Sequence, residues 1–457
     1  MDAEQGRTDC PRCRVLEQRV AALEAQVHQL LAQLEEAHRA GKRQAAPFRK
    51  AEGPKPNPKK PGRKSGKDYG RHAERAVPPQ IDEEYHAPLP KECPQCGGRR
   101  LKQTELVSQF QTEIPRKPIY REFHVHVGTC CDCGQRVQGR HALQTSDALG
   151  AAQSQLGADA HAALAVLNKE LGLSHGKGAR LFERMFGIKI ARATSVRSIF
   201  RTAKRCHAAY QDIRQEIRKS PWVVPDETGW RVGGKSAWLH VHVGPRATCY
   251  TIDPSRDASV TMDLLGIDWG GDMIHDGWAP YSQFMAAWHQ QCLAHPMRRA
   301  KELLESAVGA AKLFPRQVID LLKDSLAWRD RHADEDLSLP PCERAYKRFT
   351  DRLEGLVRRP RANVANRRFA THLANHLFEW FYFVLKPGID ATNWRAEQAL
   401  RPAVVNRKVW GGNRTWPGTR PQSILTSVLV TIAQRGADVL NWLAAVLRSP
   451  APLPLPP

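Results

Sequence analysis

The stretch "VVPDETGW", Val223–Trp230, sets Asp226 and Glu227 directly behind an apolar Val-Val-Pro run. Its neighbours continue the pattern. "WVVPDETGWRV", "SAWLHVHVG" and "ATCYTID" are three successive strand-like runs, and Gly233-Gly234 between the first two has the composition of a tight hairpin turn. The acids are therefore expected at the end of a buried strand, from where carboxylates can ligate a metal. Because adjacent strand side chains point to opposite faces, Asp226 is the expected ligand, with Glu227 supporting it or serving as a salt-bridged structural acid. Thr228 is placed to orient a carboxylate by hydrogen bonding.

A helix is expected near Ser259–Leu265. "GGDMIHDGWAPY" reads as another strand, ending at Asp276, and "QCLAHPMRRAKELLESA" as a strand leading into a helix. Residues 305–385 are mostly helical in pattern, and "ATNWRAEQALRPAVVNRKV" forms a last polar helix carrying Glu397. Strands with acids at their ends, a long helical insertion and a further acid on a helix make a mixed α/β plan. Spacing alone does not choose the acids, since Asp253, Asp257, Asp268 and Asp272 compete with Asp226, Asp276 and Glu397. Magnesium takes oxygen ligands and keeps several waters, so two or three carboxylates suffice. Two such ions about 3.5–4 Å apart suit phosphodiester chemistry.

The chain has 457 residues, with 69 Lys and Arg against 47 Asp and Glu, a net charge of +22. Such a balance favours a polyanionic partner. No run approaches the roughly 18 apolar residues of a membrane span, which leaves nucleic acid as that partner. The polar start "MDAEQGRTDC" speaks against a signal peptide and for a cytoplasmic protein. In that compartment the eleven cysteines read as metal ligands and free thiols, not disulfides.

Ahead of the α/β region, Leu16, Val20, Leu23, Val27, Leu30 and Leu34 form a heptad seam within residues 1–40, with valine at a and leucine at d, the pattern of a parallel two-stranded coil and hence a homodimer. A single helix packed on its own protein is the alternative. Residues 41–80 are a basic linker that includes "GPKPNPKKPGRKSGK"; Arg63 and Lys64 in it would hold phosphates, or it is a solvated spacer. Residues 81–148 carry Cys93-x2-Cys96 and Cys130-x2-Cys133, four thiolates for a structural Zn²⁺ in a zinc ribbon, with a hairpin bearing the second knuckle. Cys131 has no partner at that spacing. Cys10 and Cys13 would fill a site when two copies meet, or stay unliganded.

Residues 149–220 read as helical. Within them "HGKGARLFERMFGIKIARATSVRSIFRTAKR", His175–Arg205, has a helix-turn-helix pattern with Gly187 at the turn and Thr194 as N-cap. Arg197 and Arg201 on its second helix would meet DNA; a purely structural pair is the other reading. His295 and Arg298 lie where a helix starts after the second acid, in reach of a scissile phosphate, although a packed histidine is equally expected. Arg401, Arg407 and Lys408 follow Glu397 and would bind backbone phosphates, or form a solvated basic face. For Trp410, core packing is the first reading and base stacking the second.

Taken in order, the N-terminal coil, "KKPGRKSG", "LPKECPQCGG", "CCDCG", "PDETGWRV", "IHDGWAPY", "HQQCLAH" and "ATNWRAEQALRPAVVNRKVWGGNRT" resemble transposases of the insertion sequence sixty-six family, a branch of the DDE transposases. The resemblance implies an RNase H-like catalytic domain over 221–440 with a helical insertion at about 305–388, followed by a helix end and Pro-rich tail at 441–457. By motif it implies Asp226, Asp276 and Glu397 as catalytic, metal-holding acids with two Mg²⁺ (or Mn²⁺) ions per active site. It implies cleavage of double-stranded DNA at element ends, joining of the 3′-hydroxyl to target DNA, and accessory proteins encoded by the element. This chain departs from the family pattern at Trp394, Gln398 and Ser65, and keeps all three acids. The rival readings are a non-catalytic zinc-containing DNA-binding protein and a nuclease that cuts without joining.

Overall fold

A computed structural model describes residues 77–115, 117–148, 155–332 and 339–457, together with Val20, Leu23 and Val27. The coil seam apart from those three positions, the basic linker with Arg63 and Lys64, and Cys10 and Cys13 lie outside the described residues. The chain divides into two compact units, Met1–Ile114 and Pro115–Pro457. In the first, Val20, Leu23 and Val27 are helical and exposed, and residues 77–114 are irregular around a tight turn at Cys93.

The second unit opens with a small antiparallel hairpin, β1 (Val127–Thr129) and β2 (Arg136–Gln138). Four helices follow: α1 (Ala158–Lys169), α2 (His175–Phe186), α3 (Arg192–Arg205) and α4 (His207–Arg218). Gly187 ends α2 in the left-handed conformation, φ 68°, which a residue without a Cβ adopts at little cost. The expected N-cap at Thr194 is corrected: α3 starts at Arg192, and the carbonyl of Ala191 accepts the N–H groups of Thr194 and Ser195. One face of α3 buries Ser198, Ile199, Thr202 and Ala203 against α1. The opposite face leaves Val196, Arg197, Phe200, Arg201 and Lys204 exposed.

A five-stranded sheet comes next: β3 (Trp222–Val232), β4 (Lys235–Val243), β5 (Thr248–Asp253), β6 (Asp272–His275) and β7 (Trp288–Gln291). Helix α5 (Ser259–Leu265) sits between β5 and β6. The strand order is β5-β4-β3-β6-β7. β3, β4 and β5 form an antiparallel meander, while β6 and β7 run parallel to β3. Gly233 and Gly234, at φ 59° and 80°, turn the first hairpin as its composition predicts.

Beyond β7 the chain is helical: α6 (Ala294–Ser306), α7 (Leu313–Arg331), α8 (Leu339–Val357), α9 (Val364–Asn375), α10 (Tyr382–Leu385), α11 (Trp394–Trp410), α12 (Thr419–Gln434) and α13 (Val439–Arg448). Alternation along β3 separates two apolar cores. Val224, Trp230 and Val232 belong with residues of α7 to α11 on one face. Val223 belongs on the other with residues of α1, α3, α4, α12 and α13. The sheet is thus sandwiched between helical layers. Its edge strand β5 is closed by α12, where Ser427 and Thr431 hydroxyls accept the N–H groups of Tyr250 and Thr248 at 2.8 and 3.0 Å. Among the described residues no helix is long and apolar enough to cross a membrane.

Candidate active site

The ends of β6 and β7 meet the uncovered middle of β3 at one edge of the sheet. The parallel pairing of β3 with β6 stops at Val223↔Met273, and Asp226 lies just beyond it. Asp226 is therefore within a strand, not at its end as expected, because β3 continues to Val232 through its antiparallel pairing with β4. The functional equivalent of a strand end survives, since β6 no longer covers that stretch. Asp276 follows β6 directly, and Cys292 follows β7. Open α/β sheets bind ligands at this carboxyl edge of their parallel strands.

The acids are held by local hydrogen bonds. The N–H of Glu227 donates to Asp226 Oδ1 at 2.8 Å, and that of Trp278 to Asp276 Oδ1 at 3.0 Å. Gly277 between them is needed: its φ is 84°, and a Cβ there would stand 2.7 Å from Gln291 Oε1. Glu397 is on the exposed side of the first turn of α11. The segment leading into that helix is tied to the end of β7, because the N–H of Leu293 donates to the carbonyl of Ala391 at 2.9 Å, and the ends of β6 and β7 are joined by the N–H of Cys292 donating to the carbonyl of His275 at 2.7 Å. Burial pushes the Cys292 thiol up, while the N–H groups of Asn393, Ala294 and His295 oppose it and the charge of Glu397 adds to it. The end of β7 and the start of α11 are thus neighbours.

Asp226 shares its face of β3 with Val224 and Trp230, the face on which α11 packs. Burial raises its carboxyl to about 7; the charge of Asp276 adds to the rise, the Glu227 N–H opposes it, and the charges of Glu227 and Glu397 add further. Asp276 and Glu397 are therefore each within electrostatic reach of Asp226. Among the described residues, no three His, Cys, Asp or Glu side chains stand together in a group fit to hold a metal ion. The all-oxygen donors and crowded negative charge still suit Mg²⁺ or Mn²⁺ held by one or two carboxylates, with other positions left to water and phosphate oxygens.

The competing acids have other work. Asp253 accepts the N–H of Ser255 at 2.8 Å, and Asp257 that of Ser259 at 3.0 Å. Asp272, at the start of β6, is buried and bonded to Tyr382 and Lys386. Asp268 Oδ1 lies against Gly266 in the turn after α5.

The basic residues divide. On α11, Arg401 and Lys408 are exposed at i+4 and i+11 from Glu397, so the three share a stripe. Arg407 is half-buried and reaches Thr228 Oγ1 at 3.4 Å, while its Nε has no partner. Burial and the charge of Arg231 lower its pKa. Arg298 is exposed on α6. His295 is half-buried within electrostatic reach of His372, with an unpartnered Nδ1. Trp410 meets the edge of Trp230 at 5.8 Å, as core packing requires.

The cysteine pairs adopt matching turns, each described within its own unit. The Cys93 N–H donates to the Gly98 carbonyl at 2.9 Å, and the Cys130 N–H to that of Gln135 at 2.8 Å. Gly97 and Gly134 follow the turns at φ 73° and 70°. The N–H groups of Gln95 and Cys96 lower the Cys93 thiol, and those of Cys133 and Asp132 lower Cys130. Such turns favour thiolates, the form that binds metal.

Sequence reasoning missed Arg256. It leaves the β5–α5 loop and bonds Glu227, and nothing in its local sequence signals that contact. Trp278 and Tyr281, which join it, were visible within "HDGWAPY" without a role.

The family model described as Transposase IS66 family matches residues 153–420. The matched span takes in the whole sheet and Asp226, Asp276 and Glu397. No curated protein sequence matches the chain.

Proposed function

The chain belongs to the Transposase IS66 family, and from that premise we propose that it cleaves DNA at the ends of an insertion element and transfers the 3′-hydroxyl to target DNA. One arrangement carries the reading: Asp226 on β3 just beyond its pairing with β6, Asp276 directly after β6, and Glu397 on a helix whose approach is tied to the end of β7, with Asp276 and Glu397 each within electrostatic reach of Asp226. Such crowding is unfavourable in an apoprotein and is relieved by a cation.

Asp226, Asp276 and Glu397 would hold Mg²⁺ or Mn²⁺, two ions per site in the reading that the family resemblance implies. When bound, the metal supplies charge neutralisation at the phosphodiester and a more acidic attacking oxygen. The protein's own part is positioning. Asp226 rides on the central strand, Asp276 on the turn fixed by Gly277, and Glu397 on a helix whose approach is tied to the end of β7. Arg401 and Lys408 would hold the DNA backbone beside Glu397. Arg407, half-buried against Thr228, would set the strand nearest Asp226. An RNase H-like architecture for the sheet is consistent with its three antiparallel strands followed by two parallel ones.

End recognition would fall to the exposed face of α3. Arg197→Ala and Arg201→Ala are each expected to weaken end-DNA binding and lower the salt slope, d log K against d log[salt], by about 1. A salt-titrated binding series checks this; unchanged slopes would move DNA recognition elsewhere. Dimerisation through the N-terminal seam would hold two ends together, and each cysteine knuckle would supply a pair of thiolates for structural Zn²⁺.

The test of the whole reading is labelled element-end DNA incubated with the protein and Mg²⁺ or Mn²⁺. Cut ends together with joined products are expected. Binding without cleavage would instead make the chain a DNA-binding protein, and cleavage without joining a nuclease.

A further inference from the structure

We propose that Glu227, Arg256, Tyr281 and Trp278 form a clamp that fixes Asp276 relative to Asp226. The inference rests on the reading of those two aspartates as cation-holding acids, and it adds positioning residues to their site.

Glu227 follows Asp226 on β3 and points to the opposite face. Its side chain is 2% exposed, so its charge must be met by donors. Arg256 Nε and Nη2 both reach Oε1, at 2.8 and 2.7 Å, and Tyr281 donates to Oε2 at 2.8 Å. With both oxygens engaged, Glu227 is a fixed anchor and not a metal ligand.

The anchor is carried across to the second acid. The Arg256 guanidinium stacks over Trp278, 3.7 Å from the ring centroid, with Trp238 of β4 at 4.7 Å. The backbone N–H of Trp278 in turn holds Asp276 Oδ1. Tyr281 closes a second route, its ring 5.1 Å from that of His275, the residue before Asp276. The loop bearing Arg256 is itself braced, since the Ser255 carbonyl lies 2.9 Å from His240 Nε2. Asp226 on β3 and Asp276 in the turn after β6 are thereby linked through one guanidinium. A planar fork that donates edge-on while its face stacks on indole is something lysine cannot reproduce.

The test is a calorimetric titration of the full-length protein with Mn²⁺ in the absence of DNA, alongside the Mn²⁺ dependence of end cleavage and thermal melting. Arg256→Lys keeps the charge but loses the stack and the paired donation. It is expected to weaken Mn²⁺ binding, and to raise the Mn²⁺ needed for half-maximal cleavage, about 10-fold, as for other residues that orient metal ligands. Cleavage at saturating Mn²⁺ should recover to near the parent rate, with end-DNA affinity unchanged. Tyr281→Phe, which removes one donor from a residue of the same shape, should shift Mn²⁺ affinity in the same direction by less. It serves as the deciding variant should Arg256→Lys melt lower. Unchanged Mn²⁺ affinity in Tyr281→Phe and in a folded Arg256→Lys would overturn the clamp, as would a cleavage defect that saturating Mn²⁺ does not repair. A parent protein that neither binds Mn²⁺ nor cuts would overturn the transposase reading itself, and the clamp with it.

Discussion

Asp226→Asn is expected to cut metal-dependent cleavage of end DNA by on the order of 10³-fold, and yet to make the metal-free protein melt higher above pH 7. Both effects have one cause. The carboxyl rises from its ordinary 3.8 to about 7, by burial first and the Asp276 charge second. A raised folded-state pKa means that the native state holds the proton more tightly than the unfolded chain. The stability associated with that proton is fully present below about pH 4 and is lost as pH rises to about 7. Above that, the native state carries an ionised carboxylate in an unfavourable place. Asparagine cannot ionise, so the variant keeps what the parent loses, and the two melting curves should converge near pH 4. Addition of Mn²⁺ should reverse the order, since a ligand that binds the native state stabilises it by mass action, and the variant lacks a carboxylate to hold it. Asp276→Asn and Glu397→Gln should lose cleavage likewise. A fully active single variant removes that residue from the site. Melting curves of parent and Asp226→Asn that stay parallel across pH 4–8 would contradict the electrostatic account.

Lys386→Met is expected to destabilise the protein by about 3 kcal/mol without touching the acids of the site. Asp272 has a side chain only 2% exposed, and it meets Lys386 Nζ at 2.5 Å and the Tyr382 hydroxyl at 2.6 Å. Removing the lysine leaves a buried carboxylate with one neutral donor. The expected cost falls at the low end for a broken buried pair because the Lys386 side chain is half exposed. The pair ties the start of β6 to α10, where Tyr382 stacks on Trp288 of β7 with centroids 5.7 Å apart. Urea unfolding of Lys386→Met and of Lys386→Met with Asp272→Asn measures the effect. The second change should restore much of the loss, because it removes the stranded charge. A loss below about 1 kcal/mol in the single variant, the range of a surface ion pair, would contradict the buried-pair account.

Asp272 also shows how far the sequence could be read. It competed with Asp226 and Asp276 as a strand-associated acid, and its local sequence is no less suggestive. What separates them is tertiary. Asp272 begins β6, beside α10, whereas Asp276 follows the same strand at the carboxyl edge. The features that rest on neighbours in sequence were legible: the Gly233-Gly234 turn, the helix at Ser259–Leu265, the strand before Asp276, the opposite orientation of Asp226 and Glu227. Those that rest on distant pairing were not. Asp226 was expected at a strand end, but β4 carries β3 six residues further. Thr194 has an N-cap side chain, yet the backbone of Ala191 starts α3. Arg256 gave no local sign of its role, because its partners Glu227 and Trp278 are 29 residues before and 22 after it.

The central claim is that Asp226, Asp276 and Glu397 share one cation-binding edge. A crystal structure of the protein grown with Mn²⁺, with the metal located by its anomalous scattering, tests it most directly. The account predicts manganese bound to Asp226 and to at least one of Asp276 and Glu397. Manganese absent from Asp226, with the three carboxylates unchanged at saturating Mn²⁺, would contradict it.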